Sequence, residues 1–373
     1  MKNIKVSIEN CSSYDNKEVK KVLEKSLKNI GFKFKKNQKI LLKPNILGAY
    51  HPEEAITTHP IIIEELVKIL KKYNSIISIG DSSALNTEKS FKISGIYEIA
   101  KKYNLNLLNF SNEPSNEVNI DSSIKKIPLP KSIKDFDLII NLPKLKTHSF
   151  TNMTGAIKNL YGLIPGTKKA FYHMALSKLP DFSNMLVEIY RCVKPELNIM
   201  DGVVGIQGMG PGKAGTKIKS KIILASKNAV ALDIVASEII GFDKYEILTN
   251  KIAVEKNLLN GKIEKIGLKN FKIPFKKPSL TSANKISVIL SNILPKPKIS
   301  FDKTKCTKCK ACGKNCPVKV ISYNSYPKCN HKKCINCYCC IEICPQNAVY
   351  LKKHFIYRFL KTIYFKFKKT NFL

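Results

Sequence analysis

Residues 306–317 read CTKCKACGKNCP, and residues 334–345 read CINCYCCIEICP. Cys306, Cys309, Cys312 and Cys316 stand at the spacing C-x2-C-x2-C-x3-C, with Pro317 next. Cys334, Cys337, Cys340, Cys344 and Pro345 repeat this 28 residues on, position for position, which marks an internal duplication. Three thiols on one short, tightly turned loop are spaced to ligate a common centre. The prolines help stop each loop, because proline removes an amide donor and fixes φ. Two other uses of cysteine fit less well. A disulfide framework belongs to an oxidising compartment, and nothing in the chain suggests export. Zinc sites usually show pairs of C-x2-C separated by a longer loop, not two quartets each closed by Cys-Pro.

The spacing resembles that of bacterial two-cluster ferredoxins. The resemblance implies two [4Fe–4S] clusters, with the fourth cysteine of each motif opening a turn of helix that carries it to the other cluster. The expected ligands are Cys306, Cys309, Cys312 and Cys344 for the first cluster. For the second they are Cys334, Cys337, Cys340 and Cys316. Cys329 and Cys339 lie off the pattern and read as bystanders, and Cys11 and Cys192 as packed or incidental thiols.

The chain has 373 residues, 44% of them hydrophobic, enough for two or more domains and a sizeable core. Its 64 basic and 28 acidic residues give a formal net charge of +36. That balance invites a nucleic-acid reading, but the basic residues are almost all lysine, Arg191 and Arg358 excepted. Arginine is the favoured residue for bidentate recognition of phosphate and guanine, so no specific nucleic-acid partner is expected. The charge favours acidic partners and anionic lipid. The opening MKNIKVSIEN alternates like a strand and does not read as a secretory signal, and no apolar run reaches membrane-spanning length. Two cysteine quartets fit the reducing cytoplasm of an anaerobe.

Hydrophobic periodicity predicts strands at Ile4–Ile8, Lys39–Leu42, Ile76–Ile79, Asn106–Asn109, Leu138–Leu142, Leu197–Met200 and Ile222–Leu224. It predicts helices near Lys17–Ile30, Pro60–Tyr73, Gly95–Tyr103, Thr151–Tyr161, Phe182–Cys192 and Ala229–Ile240. The alternation specifies an α/β fold with a largely parallel sheet and flanking helices, followed by a small C-terminal α+β domain of bacterial-ferredoxin type. The expected boundaries are 1–271 for the α/β domain, 272–300 for a linker rich in proline and lysine, 301–350 for the ferredoxin-type domain and 351–373 for a basic aromatic tail. Ligands of open α/β sheets bind beyond the carboxyl ends of the strands. Lys43-Pro44-Asn45, Gly80-Asp81-Ser82, Lys144 to His148 and Asp201-Gly202 all fall at such ends.

The series LLKPN, TTHP, IGDSS, NLPKLKTHSFTNMTGAIKNLYG, MDGVVGIQGMGPGKAGT and VALDIVASEIIG, in that order over roughly residues 3–270, resembles the DUF362 family. The family comprises uncharacterised prokaryotic proteins, many with a fused ferredoxin domain. The resemblance therefore implies architecture and leaves activity open.

Lys144, Lys146, His148 and Lys158 are the candidate catalytic group. They suit a pocket for a small anionic ligand, a carboxylate or phosphate, with His148 as a general acid–base near neutral pH. Against this, lysines are abundant throughout. Lys43, Asn45, Asp81, Asp201, Gly208, Gly210 and Gly212 are candidate ligand-binding residues, and His59 joins them. The glycines of GIQGMGPGKAG (205–215) would let backbone amides approach a phosphate. The stretch lacks the Ser/Thr of a P-loop, and a lid or tight connecting loop suits it equally. Asp81 and Asp201 suit metal binding, lysine orientation or a turn; Asp233 reads as structural.

The tail LKKHFIYRFLKTIYFKFKKTNFL (351–373) puts Phe355, Phe359, Ile363 and Phe367 on one face if helical, as a membrane-surface or partner-docking segment would. Three functions compete. One is an electron carrier working with a redox partner protein. Another is an oxidoreductase whose clusters feed a ligand-binding α/β domain. The third is a cytoplasmic assembly or maturation factor peripheral to the inner face of the membrane.

Overall fold

Leu138–Leu142 is buried at every position, as are Ile40, Leu41 and Leu42. Strands apolar on both sides need helices on both sides. The computed structural model describes residues 3–84, 86–278 and 298–352. The chain divides into two compact units, Met1–Ser279 and Leu280–Leu373.

The first unit opens with β1 (Ile4–Asn10), α1 (Asn16–Asn29), β2 (Lys39–Pro44), α2 (Pro60–Lys71) and β3 (Ile76–Asp81). It continues through α3 (Thr87–Ile93), α4 (Ile96–Tyr103), β4 (Asn106–Asn109), β5 (Ser115–Asn119), β6 (Lys126–Pro130), β7 (Leu138–Leu142) and β8 (Lys144–His148). Next come β9 (Asn152–Met153), α5 (Gly155–Asn159), α6 (Gly166–Ala175) and α7 (Leu179–Val193). The unit closes with β10 (Leu197–Gly208), β11 (Gly215–Ser226), α8 (Ala229–Ile239), α9 (Leu248–Glu255) and β12 (Ile263–Gly267). The main sheet runs β12-β1-β11-β10-β7-β2-β3-β4, with β8 paired to β10 beside that path. Neighbours are parallel except where β11 meets β1 and β10. The fold is thus α/β with a mostly parallel sheet.

Alternation splits the core in two. Ile40, Leu42, Ile140 and Leu142 pack with α1 and α2, while Leu41 and Ile139 face α5, α7 and α8. Local chemistry starts the helices. The Asp15 carboxylate accepts from the Glu18 amide to cap α1, and Asn228 accepts from Ala231 to cap α8. Pro60 opens α2, where its missing N–H costs nothing.

Several expectations change. Lys144–His148 is a strand, not a loop beyond one. The helix expected over Thr151–Tyr161 is only Gly155–Asn159, followed by a 3-10 turn at Leu160–Leu163. The basic connection before Phe182 contains α6, and the β5/β6 hairpin was unforeseen. β10 runs through Asp201-Gly202 to Gly208 and turns back into β11, so the glycine-rich stretch is a hairpin connection. The expected linker 272–300 is too long: Phe275 is buried, Ile273 N–H donates to Ile239, and Lys298–Phe301 is already a strand.

In the second unit, β13 (Lys298–Phe301) pairs with β16 (Val349–Lys352), and β14 (Ile321–Tyr323) with β15 (Pro327–Cys329), both antiparallel. Two four-residue helices, α10 (Ala311–Lys314) and α11 (Cys339–Glu342), lie one repeat apart. So do the left-handed residues, Lys308 with Asn336, Lys310 with Tyr338 and Lys319 with Asn347. The duplication is therefore written in the backbone. The third cysteine of each motif sits inside the short helix and the fourth follows it, rather than opening a helix as expected. The tail from 353 onward lies outside the described residues. Among the described residues no helix is long and apolar enough to cross a membrane.

Candidate functional site

Cysteine thiols enclose two spaces in the second unit. The first is lined by Cys306, Cys309, Cys312 and Cys344, with Tyr323 and Phe301 beside them. The second is lined by Cys316, Cys334, Cys337 and Cys340, and also by Cys329. Each space thus draws three cysteines from one motif and one from the other. Among the described residues no three Cys, His, Asp or Glu side chains converge closely enough to hold a single metal ion. A tetrahedral zinc would demand such convergence. A cubane asks for the reverse, four sulfurs spread around it with each on its own iron, and the donor sets fit that group. The Ala348 amide donates to Cys344 Sγ at 3.1 Å, a bond that suits a ligated thiolate.

In the first unit the expected site residues meet as two buried ion pairs. Lys43 Nζ lies 3.0 Å from Asp81 Oδ2, both side chains about 1% exposed. The second Asp81 oxygen accepts from the Ser82 amide at 2.7 Å, and Oδ2 also accepts from Ile46 at 2.9 Å. Burial pulls the Lys43 amine down and pushes the Asp81 carboxyl up, and their mutual attraction opposes both. Gly162 closes over the pair: a Cβ there would lie 2.1 Å from Asp81 Oδ1 and 2.3 Å from Lys43 Nζ.

Lys144 Nζ lies 2.7 Å from Asp201 Oδ2, with both side chains fully buried. Lys144 also donates to the Tyr14 hydroxyl at 2.6 Å, and that hydroxyl donates to Asp201 Oδ1 at 2.9 Å. The Tyr14 ring stacks on His59 at 3.6 Å, and the His59 amide donates to Asp201 at 3.0 Å. Burial brings His59 down to about 4 and raises Tyr14 well above the usual phenol range. Thr58 joins the centres: its hydroxyl donates to Leu142 O and accepts from the Asn45 amide.

Lys146 is fully buried and donates to Asn45 Oδ1 and Ile56 O, each at 2.7 Å. From Asn45 a chain of side-chain amides runs through Asn159 and Asn141 to Asn198. His148 Nδ1 accepts from the Phe150 and Thr151 amides. Burial, with the Lys158, His173 and Lys146 charges, holds its imidazole well below the ordinary range. That shift favours the neutral imidazole, where the sequence suggests a group titrating near neutral pH. Lys158 is half-buried over the Tyr161 ring at 5.9 Å. Asp233 is structural: its oxygens accept from Ala156 and Ile157 at 2.5 and 2.9 Å and so cap α5.

The glycines lie in a closely packed connection. The Gly208 amide is spent on Lys276 O, and Gly212 O accepts from Gly215. A Cβ on Gly210 would sit 2.2 Å from Thr147 O.

Four participants were not foreseen. Tyr14 carries no local motif. Gly162, within the KNLYG stretch, had that motif as its signal. Lys169 and His173 lie on the unforeseen α6. Lys169 donates to Ser82 O and, at 2.7 Å, to Ser82 Oγ, and burial brings its amine down to about 7. His173 stacks on Phe182 at 4.5 Å, and burial brings it to about 3.

Fold and site together define an iron–sulfur protein with an α/β unit built around buried lysines. The family model "Domain of unknown function (DUF362)" matches residues 40–238, and "4Fe-4S binding domain" matches residues 299–322. The chain belongs to the DUF362 family. It is 30% identical over 231 residues to the Thylakoid-associated protein sll1697 of Synechocystis sp. (strain ATCC 27184 / PCC 6803 / Kazusa), covering 61% of this chain and 71% of the relative. A solved structure, the lactate racemase apoprotein from Thermoanaerobacterium thermosaccharolyticum, aligns with TM-score 0.37 and 15% identity. The alignment spans 68% of this chain and 57% of the racemase chain, and a likeness of that size carries no functional argument.

Proposed function

We propose that the protein binds two [4Fe–4S] clusters and uses them to move single electrons to or from its α/β unit, which takes a small anionic ligand as an oxidoreductase would. The observation that carries this reading is the crossed lining of the two cysteine spaces, three thiols from one motif and one from the other in each. The anionic ligand is supported by charge. Two buried amines, Lys43 and Lys169, face the single carboxylate of Asp81, and buried charge is costly unless matched. A carboxylate or phosphate beside Lys169 would supply that match and raise its pKa again.

Native mass spectrometry of protein purified without oxygen tests both parts. A mass above the polypeptide by two clusters supports the cluster reading, and a further small bound mass supports the ligand. One cluster or none would end the two-cluster reading. A pure electron carrier is distinguished by Lys146→Ala with His148→Ala, which leaves a carrier's transfer rate intact and abolishes an enzyme's turnover.

A membrane-peripheral assembly or maturation role is a second reading, favoured by the thylakoid association in the Synechocystis relative's name. Flotation with anionic liposomes, with and without residues 351–373, decides it: unchanged binding would remove the tail as the anchor.

A further inference from the structure

The ribbon formed by β14 and β15 lies in the spacer between the two cysteine motifs, and it delivers one extra hydrogen-bond donor to each space. Tyr323 lines the first, its hydroxyl 3.2 Å from Cys312 Sγ. The same oxygen accepts from the Gly313 amide at 2.6 Å, and its proton has a second acceptor in Lys310 O at 3.1 Å. A phenol has one proton to give. A ligated Cys312 is a thiolate that only accepts, and a charged acceptor outcompetes a neutral carbonyl.

Cys329 lines the second space beside Cys316, Cys334, Cys337 and Cys340. One repeat earlier stands Phe301, which lines the first space, so this place in the repeat faces inward in both halves. Four irons use four thiolates, and the fifth thiol keeps its proton as a donor.

We propose that this ribbon sets the two cluster potentials separately, the Tyr323 hydroxyl donating to Cys312 at the first cluster and the Cys329 thiol donating to a neighbouring ligand sulfur at the second. The inference rests on the two-cluster reading. Hydrogen bonds to the ligand sulfurs tune the potential. They stabilise the reduced cluster, with its extra negative charge, more than the oxidised one, and so raise the potential. A hydroxyl is a stronger donor than a thiol. The first cluster is thereby held higher, which favours electron flow from the second cluster to the first.

The test is a redox titration, followed by electron paramagnetic resonance, on the full chain purified without oxygen, with iron and sulfide counted for each variant. Tyr323→Phe lowers one midpoint by up to about a tenfold change in the oxidised-to-reduced ratio at fixed potential, about 59 mV for one electron. Cys329→Ala lowers the other midpoint by less, and Cys329→Ser, which keeps a donor at that place, does not lower it. Unmoved midpoints with full iron content would overturn the inference while the two-cluster reading stands. Loss of the second cluster in both Cys329 variants would make Cys329 a ligand and overturn its role as donor. A wild-type protein with only one cluster's iron would defeat the two-cluster reading, and this inference with it.

Discussion

The two units treat their chemically distinctive side chains in opposite ways. In the α/β unit, Lys43, Asp81, Lys144 and Asp201 satisfy one another, with the Tyr14 hydroxyl, Pro44 O and the amides of Ile46, Ser82 and His59 filling remaining bonds. In the cysteine unit, the sulfurs face spaces that ask for something else. A network of mutually satisfied charges stabilises a geometry by itself, whereas a ring of inward-facing thiols is completed only by a ligand. The first unit should therefore hold its shape without any ligand, and the second should depend on the iron–sulfur group it encloses.

The largest expected effect breaks the cysteine unit. Cys344→Ala lies in the second motif yet should remove the first cluster, leaving the second with full iron content. Loss of the second cluster instead would mean that each motif serves its own. Stripping all iron should also unfold residues 298–352, because two short ribbons and two single-turn helices bury little core. The α/β unit should keep its circular dichroism through the same treatment.

A smaller effect sharpens the other side of the comparison. Asp81→Ala strands the buried Lys43 amine and should cost about 3–5 kcal/mol in denaturant unfolding. The pair Lys43→Met with Asp81→Leu should recover most of that loss, since replacing a whole buried ion pair with apolar groups is often near neutral. Equal losses in the single and double variants would show that the pair's other bonds, to Ile46 and Ser82, matter more than its charge.

The smallest effect is a slope. Burial raises Asp233 from 3.8 to about 7. The folded state then holds that proton more tightly than the unfolded chain, so Asp233 makes stability decline as pH rises from about 4 to about 7. Asp233→Asn should flatten that part of the profile, at some cost in stability from the lost second acceptor. An unchanged slope would assign the pH dependence to other groups.

What the sequence disclosed follows the same division. The cysteine arrangement was legible because spacing and duplication are local, and the resemblance to two-cluster ferredoxins supplied the expectation of crossed ligand sets. The buried strands were legible from apolar runs such as Leu138–Leu142. The lysine–aspartate pairing was not: Lys43 and Asp81 are 38 residues apart, Lys144 and Asp201 are 57 apart, and lysine is too common here to flag either. Asn141 and Asn159, polar within apolar stretches, were visible signs of an internal network that only the fold could connect. The glycine stretch misled because β10 continues past Asp201-Gly202, where polarity suggested that the strand had ended. α6 was hidden behind Pro165-Gly166 and a pair of lysines.

The crossing of the two motifs also orders events in time. On the two-cluster reading, Cys316, Cys334, Cys337 and Cys340 all leave the ribosome before Cys344 does. A growing chain therefore carries a full ligand set for the second cluster while the first still lacks its last sulfur. Iron delivered during synthesis would then settle in the second site first, and the first site would wait for the final cysteine of the motif that follows it.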